Sequence, residues 1–222
     1  MTIKEIAYRD PISELIADVI SSEIDVKKYR YNNPILEPDT LVLGMNTQHY
    51  LSRSLTNLPI IVFDQHTDMF SGRFKFPEEM SNINWIYWKL KDGEETHLVL
   101  PNYNPLPGDL TLPIENKENF HLYIVNQTQR PVIGNLDNGT PYELRPHDIG
   151  NLEILKKIKK QVSIDFDFFR DIDVKDAIGM LKLIKNEKNL YDFWLDYAQN
   201  FETRVENCIN LIKVINSPDS KA

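Results

Sequence analysis

Asp64, His66 and Asp68 stand at every second position directly after four apolar residues, Ile60 to Phe63. In an extended chain alternate side chains point the same way, so this spacing lets all three converge on one spot. Carboxylate oxygens and imidazole nitrogens that converge make a metal site, and leaving such groups unpaired at the end of a buried strand is costly. A second tract repeats the pattern: Val162-Ser163-Ile164 runs into Asp165 and Asp167, again two apart and amid Phe166, Phe168 and Phe169. His49 is a sixth candidate, just past the end of an earlier apolar run, where open α/β sheets place their sites. Four carboxylates and two imidazoles suit a hard or borderline divalent ion such as Mn²⁺. Crowded round one ion, four carboxylates would leave excess negative charge. Two ions sharing bridging carboxylates fit the count, and such a pair can polarise a substrate.

The elements that must position these residues read as an α/β fold. Ile60 to Phe63 is the unbroken apolar run of a strand buried on both faces of a parallel sheet. Leu41 to Gly44 reads as a second such strand, and Gln48 to Leu55 as the helix of a right-handed crossover between the two. Asp10-Pro11 opens a first helix, Asp as cap and Pro at the first helical position, with Ile12, Leu15, Ile16, Val19 and Ile20 as its apolar face. Lys27 to Asp39 reads as a loop whose Tyr29 and Tyr31 are candidates for a substrate entrance.

Met69 to Met80 is a loop long enough to fold over the site, and the text from Ser81 to Ile86 leads into an aromatic-rich strand or buried helix. His97 to Pro101 and Asn119 to Val125 are further strands, and Val132 to Arg145 is a hairpin turning at Asp137-Asn138-Gly139. Leu152 to Lys160 reads as a helix that delivers the second acidic strand. From Asp173 the chain reads as helical to about Ile215, with no further strand. His121 and His147 have no metal-spaced partner beside them and read as ordinary polar residues. The expected architecture is one domain, residues 1–222, of three αβα layers round a mostly parallel sheet.

Composition narrows the function. The formal net charge is −8, with 33 acidic residues against 25 Lys plus Arg, which argues against binding a nucleic-acid backbone. No segment approaches the roughly 18 apolar residues of a membrane span, and the first ten residues are too charged for a signal peptide. Cys208 is the single cysteine, so neither an intrachain disulfide nor a thiolate cluster is available. A cytoplasmic location is expected.

The two motifs, Asp64-Gln65-His66-Thr67-Asp68 and Ser163-Ile164-Asp165-Phe166-Asp167, with His49 at the start of the helix before the first, resemble those of the arginase (ureohydrolase) superfamily. A narrower resemblance is to the peptide arginases of ribosomal natural-product biosynthesis. It rests on Ser163 to Phe169 and on the Ser-x-x-Asn-Trp segment at Ser81, Asn84 and Trp85, and it covers about Leu41 to Phe169. What the resemblance implies is hydrolysis of an arginine side chain within a peptide, giving ornithine and urea, in an arginase-like fold of reduced size.

By the same resemblance Asp64 and Asp165 bridge two Mn²⁺ ions, His49 and Asp68 complete one shell, and His66 and Asp167 the other. Asp64, His66 and Asp68 are the expected catalytic residues, Asp68 holding the amino group of the tetrahedral intermediate. Phe70, Ser81, Asn84 and Trp85 are the expected substrate-binding residues.

Three departures qualify the substrate. Enzymes of that superfamily acting on free arginine have an Asn where Phe70 stands, and Phe70 cannot contact an α-carboxylate, which fits an arginine already inside a chain. No histidine follows between Met69 and Tyr87 to shuttle protons. No strand after Asp167 is expected to offer a glutamate for the guanidinium; Glu202 and Glu206 fall in expected helix. The alternatives are a ureohydrolase for a small guanidine or formimino compound such as agmatine, and a catalytically silent metal-binding protein that docks peptides.

Overall fold

Short runs of β-branched and aromatic residues, buried on both faces, build the centre of the molecule. The computed structural model describes residues 2–32, 37–69, 84–102, 110–126 and 130–218, so Phe70, Ser81 and nearly all of the loop expected over the site lie outside the described residues. The strands in chain order are β1 (Glu5–Tyr8), β2 (Lys27–Arg30), β3 (Thr40–Met45), β4 (Ile60–Phe63), β5 (Thr96–Leu100), β6 (Thr111–Leu112), β7 (Phe120–Ile124), β8 (Val132–Leu136), β9 (Pro141–Leu144), β10 (Gln161–Asp165) and β11 (Leu190–Leu195). Among the described residues, eight form one sheet in the order β2-β1-β3-β11-β10-β4-β5-β7. Every pairing in it is parallel.

One face of this sheet is covered by α1 (Pro11–Glu23), α3 (Val174–Ile184) and α4 (Phe201–Asn216), with Ile16, Ile20, Ile184 and Ile212 packed on Leu43, Ile164 and Phe193. The other carries α2 (Trp85–Lys91) and the small sheet β6-β8-β9, where Trp85, Ile86, Leu112 and Val132 meet Val62, Leu98 and Leu122. Asp10 caps α1 as expected, its Oδ1 accepting from the amides of Ile12 at 3.0 Å and Ser13 at 2.9 Å. The hairpin β8–β9 turns at Gly139 with φ of +83°, a conformation open to glycine at no steric cost. Among the described residues no helix is long and apolar enough to cross a membrane.

Four expectations need correction. The stretch read as the start of a long C-terminal helix is β11, which lies in the middle of the sheet between β3 and β10. All six of its residues are buried, and a strand covered on both faces has no period-two alternation to announce it. Lys27 to Arg30 is not loop but the edge strand β2, exposed along its whole length; charged residues on an edge suit solvent and discourage further pairing. The segments read as helices before the acidic motifs are 3-10 turns, at Asn46–Ser54 and Ile149–Lys157, and the second acidic strand ends at Asp165, so that Asp167 lies on a further 3-10 turn, Phe166–Arg170, rather than on the strand. Tyr29 on β2 stands four strand positions from β10, about 19 Å across the sheet. That is too far to form an entrance to the acidic motifs.

Candidate metal centre

The two acidic tracts meet because β4 and β10 are neighbours in register, Phe63 beside Ile164. The next residues, Asp64 and Asp165, therefore leave the carboxyl edge of the sheet side by side. His49 is delivered to the same point by the 3-10 turn that follows β3. Its Nδ1 lies 3.3 Å from Asp64 Oδ2, 3.2 Å from Asp165 Oδ2 and 3.8 Å from Asp68 Oδ2. On the other side His66 Nδ1 is 3.0 Å from Asp167 Oδ2 and 3.7 Å from Asp64 Oδ1. Two donor groups result, His49–Asp64–Asp165 and Asp64–His66–Asp167, each with its ligand atoms within 4.8 Å of one another, and Asp64 belongs to both.

Backbone amides fix the carboxylates. Asp64 Oδ1 accepts from His66 N at 2.8 Å, Asp165 Oδ1 from Asp167 N at 3.1 Å, and Asp167 Oδ1 from Gln65 N at 3.1 Å. Asp68 is turned inward by a φ of +49°, in the left-handed region that costs a residue with a Cβ. Its Oδ2 accepts the Trp85 indole N–H. Trp85 and Asn84, two of the expected substrate-binding residues, are buried, and Trp85 acts on the site through Asp68. Glu202 and Glu206 face solvent on α4.

The orientation of His49 comes from residues that the sequence motifs only partly contain. Ser52 Oγ and Ser163 Oγ both donate to Asp192 Oδ2, at 2.5 and 2.7 Å, and Asp192 Oδ1 accepts from Gln161 Nε2 at 2.8 Å. Ser163 spends its only proton on Asp192, so its oxygen, 2.9 Å from His49 Nε2, must accept there. His49 therefore carries a proton on Nε2 and aims Nδ1 at the carboxylates. Asp192 sits on β11, opposite Ser163 in register; the signal for it was the aromatic-rich run Tyr191-Asp192-Phe193-Trp194. β11 is also followed by the carboxylate Asp196, whose two oxygens are held by Arg170 at 2.7 and 2.8 Å.

The residues fit a cation. His49 Nδ1 and Asp64 Oδ2 are buried, face each other and have no hydrogen-bond partner, which is costly unless a positive charge lies between them. Electrostatics agree. Burial and the neighbouring Asp64 charge push Asp165 up to about 7; burial lifts Asp68 well above the carboxylate range and raises Asp167 as well. Hydrogen bonds to Asp167 and Asp64 hold His66 up to about 11. Burial opposes charge on His49, yet Asp165 and Asp64 raise its pKa well above an ordinary imidazole. Without a metal the site keeps protons where cations belong.

No protein-family model and no curated protein matches the sequence. Among solved structures the chain is similar to a hypothetical agmatinase from Burkholderia thailandensis, with a TM-score of 0.57 and 11% identity over 96% of this chain and 85% of that one. The fold is agmatinase-like. An agmatine ureohydrolase of Thermoplasma volcanium aligns with a TM-score of 0.44 and 13% identity, over 93% of this chain and 66% of that one. The agmatinase-like sheet thus carries the acidic strand ends at the edge where open α/β sheets place their ligands.

Proposed function

We propose that this protein hydrolyses a guanidino group and releases urea, working with two divalent cations, for which Mn²⁺ suits the all-oxygen and nitrogen donor set. The observation that carries this is the shared carboxylate: Asp64 stands in both donor groups, with an unpartnered oxygen facing the unpartnered nitrogen of His49. In this proposal His49, Asp64, His66, Asp68, Asp165 and Asp167 would hold the ions, Asp64 contributing to both donor groups. Bound there, two dications would lower the pKa of water at neutral pH, so no strong protein base would be required. The chain's own residues do the positioning. Asp192 and Ser163 keep the Nδ1 lone pair of His49 toward the site, Trp85 sets Asp68, and Asp68 receives a nitrogen of the guanidino group.

The substrate proposed is an arginine side chain within a peptide, converted to ornithine. His66 is 63% exposed at its side chain, which supports a substrate residue carried on a longer chain. Phe70, in place of an α-carboxylate contact, favours the same class. A second reading, agmatine as substrate, is favoured by the name of the hypothetical agmatinase whose fold the chain shares. Incubation with Mn²⁺ and either an arginine-containing peptide or agmatine separates them. Loss of a cyanamide equivalent from the peptide mass supports the first, and urea from agmatine alone supports the second. Full metal loading with urea from neither removes the hydrolase proposal and leaves a metal-binding docking protein.

A further inference from the structure

The opposite edge of the same sheet holds donors that guanidino chemistry does not use. The chain has five histidines; His49 and His66 belong to the carboxyl edge, and His97, His121 and His147 gather at the amino edge. β5 and β7 pair in parallel with His97 directly beside His121. Their rings therefore leave the same face and stack, centroids 4.5 Å apart and planes 15° from parallel. Glu95 turns its carboxylate toward both: Oε1 lies 3.1 Å from His97 Nε2 and 3.5 Å from His121 Nε2. All three donor atoms fall within 4.8 Å of one another. Two bonds of about 2.0–2.1 Å meeting near the tetrahedral angle put their donors about 3.3–3.4 Å apart. Glu95 Oε1 stands at close to that spacing from both nitrogens.

The other ring nitrogens are already engaged. His97 Nδ1 is 3.3 Å from the Tyr123 hydroxyl, and His121 Nδ1 is 3.4 Å from His147 Nε2. His147 is brought there by its own backbone, whose N–H donates to the Leu122 carbonyl at 2.7 Å. A histidine that ligates a metal through one nitrogen characteristically has such a partner on the other, which fixes the ring and its tautomer. Burial pushes His97 down to about 3 and lowers His121 as well, so both rings are neutral, as ligands must be. Neutral His97 hydrogen-bonds Glu95 Oε1 through Nε2, and an ion taking that place leaves the proton on Nδ1, facing the Tyr123 hydroxyl. The other cation acting on His97 is Lys160, whose ammonium is held by the carbonyls of Leu155 and Ile158.

We propose that Glu95, His97 and His121 bind one Zn²⁺, or another borderline transition dication, with the part-exposed His121 ring tilting out of the stack so that both in-plane lone pairs reach the ion. His147 and Tyr123 are positioning residues for the two imidazoles. Two neutral nitrogens and one carboxylate are a borderline donor set, unlike the carboxylate-rich set at the other edge. His97 pairs with Ile61, three residues before Asp64, so the two centres lie about 10 Å apart along the strands. One ion cannot serve both. Bound there, the ion ties β5 to the outer strand β7.

Equilibrium dialysis of the full chain against Zn²⁺, followed by elemental analysis of the retained metal, tests this on wild type, Glu95→Gln and His121→Ala. Zinc held by the Asp64 centre is common to all three chains and cancels. Each variant is expected to retain one equivalent fewer than wild type, with guanidino hydrolysis in Mn²⁺ unaffected. Equal zinc in the wild-type and variant chains overturns the proposal. Should His121→Ala lose its far-ultraviolet circular dichroism, the Glu95→Gln chain decides alone, since Glu95 is partly exposed and its replacement is isosteric.

Discussion

At its carboxyl edge the sheet gathers four carboxylates and two imidazoles; at its amino edge it gathers one carboxylate and three imidazoles. Burial acts on both, with opposite consequences. A carboxylic acid is charged when it has lost its proton, so burial favours the protonated forms of Asp165, Asp68 and Asp167. An imidazole is charged when it has gained one, so burial strips His97 and His121. The first edge must exchange protons for metal. The second stands ready for an ion without displacing any. A fold can thus present two kinds of cation site from one sheet by choosing which end of each strand carries which donor.

The sharpest way to break the comparison is Asp64→Asn. Since Asp64 joins both donor groups, its loss is expected to abolish tight Mn²⁺ binding and to lower urea release by about a thousandfold or more, the several kcal/mol a metal supplies. Zinc at the amino edge should be untouched. Retained activity in this variant would remove the mechanism. Ser163→Ala comes next. It frees His49 to rotate or change tautomer, and second partners of this kind are worth about 10–100-fold in metal affinity. Calorimetric titration with Mn²⁺ checks this, and an unchanged affinity would show that Asp192 does not govern His49.

Proton release sharpens the contrast further. Asp165 titrates at about 7 in the metal-free chain and His66 at about 11. Both pKa values are raised, so lower pH fills the site with protons that metal must displace. Mn²⁺ affinity should fall as pH drops through about 7, by about tenfold per pH unit for each proton exchanged. Titrations in buffers of different ionisation enthalpy should count at least one proton released at neutral pH. At the amino edge the same experiment with Zn²⁺ should count none from His97, which is neutral down to about 3. The smallest effect expected is that of Trp85→Phe. It removes one hydrogen bond from Asp68, worth about 1–1.5 kcal/mol, or about five- to tenfold in kcat/KM, with metal content unchanged.

The carboxyl edge was legible because its donors are close in sequence: Asp64, His66 and Asp68 share one strand end, Asp165 and Asp167 another, and the apolar runs before them mark strands. Trp85 was legible as a residue of interest but not in its role, since only the fold shows its indole turned to Asp68. Asp192 was hidden inside a run whose full burial erases alternation. The amino-edge cluster was hidden for another reason. His97 and His121 are separated by a proline-broken stretch and a helical turn, and only the parallel register of β5 and β7 sets one beside the other. Donors held by register rather than by spacing leave no local signature.

β11 joins β3 on one side to β10 on the other. Take it out of the ladder and the sheet parts into two blocks, one bearing His49, the other bearing Asp64 and Asp165. The centre therefore straddles a suture closed by residues that leave the ribosome after both acidic tracts have done so. A nascent chain gains its grip on the cations late, when the seam between its two halves is sewn shut.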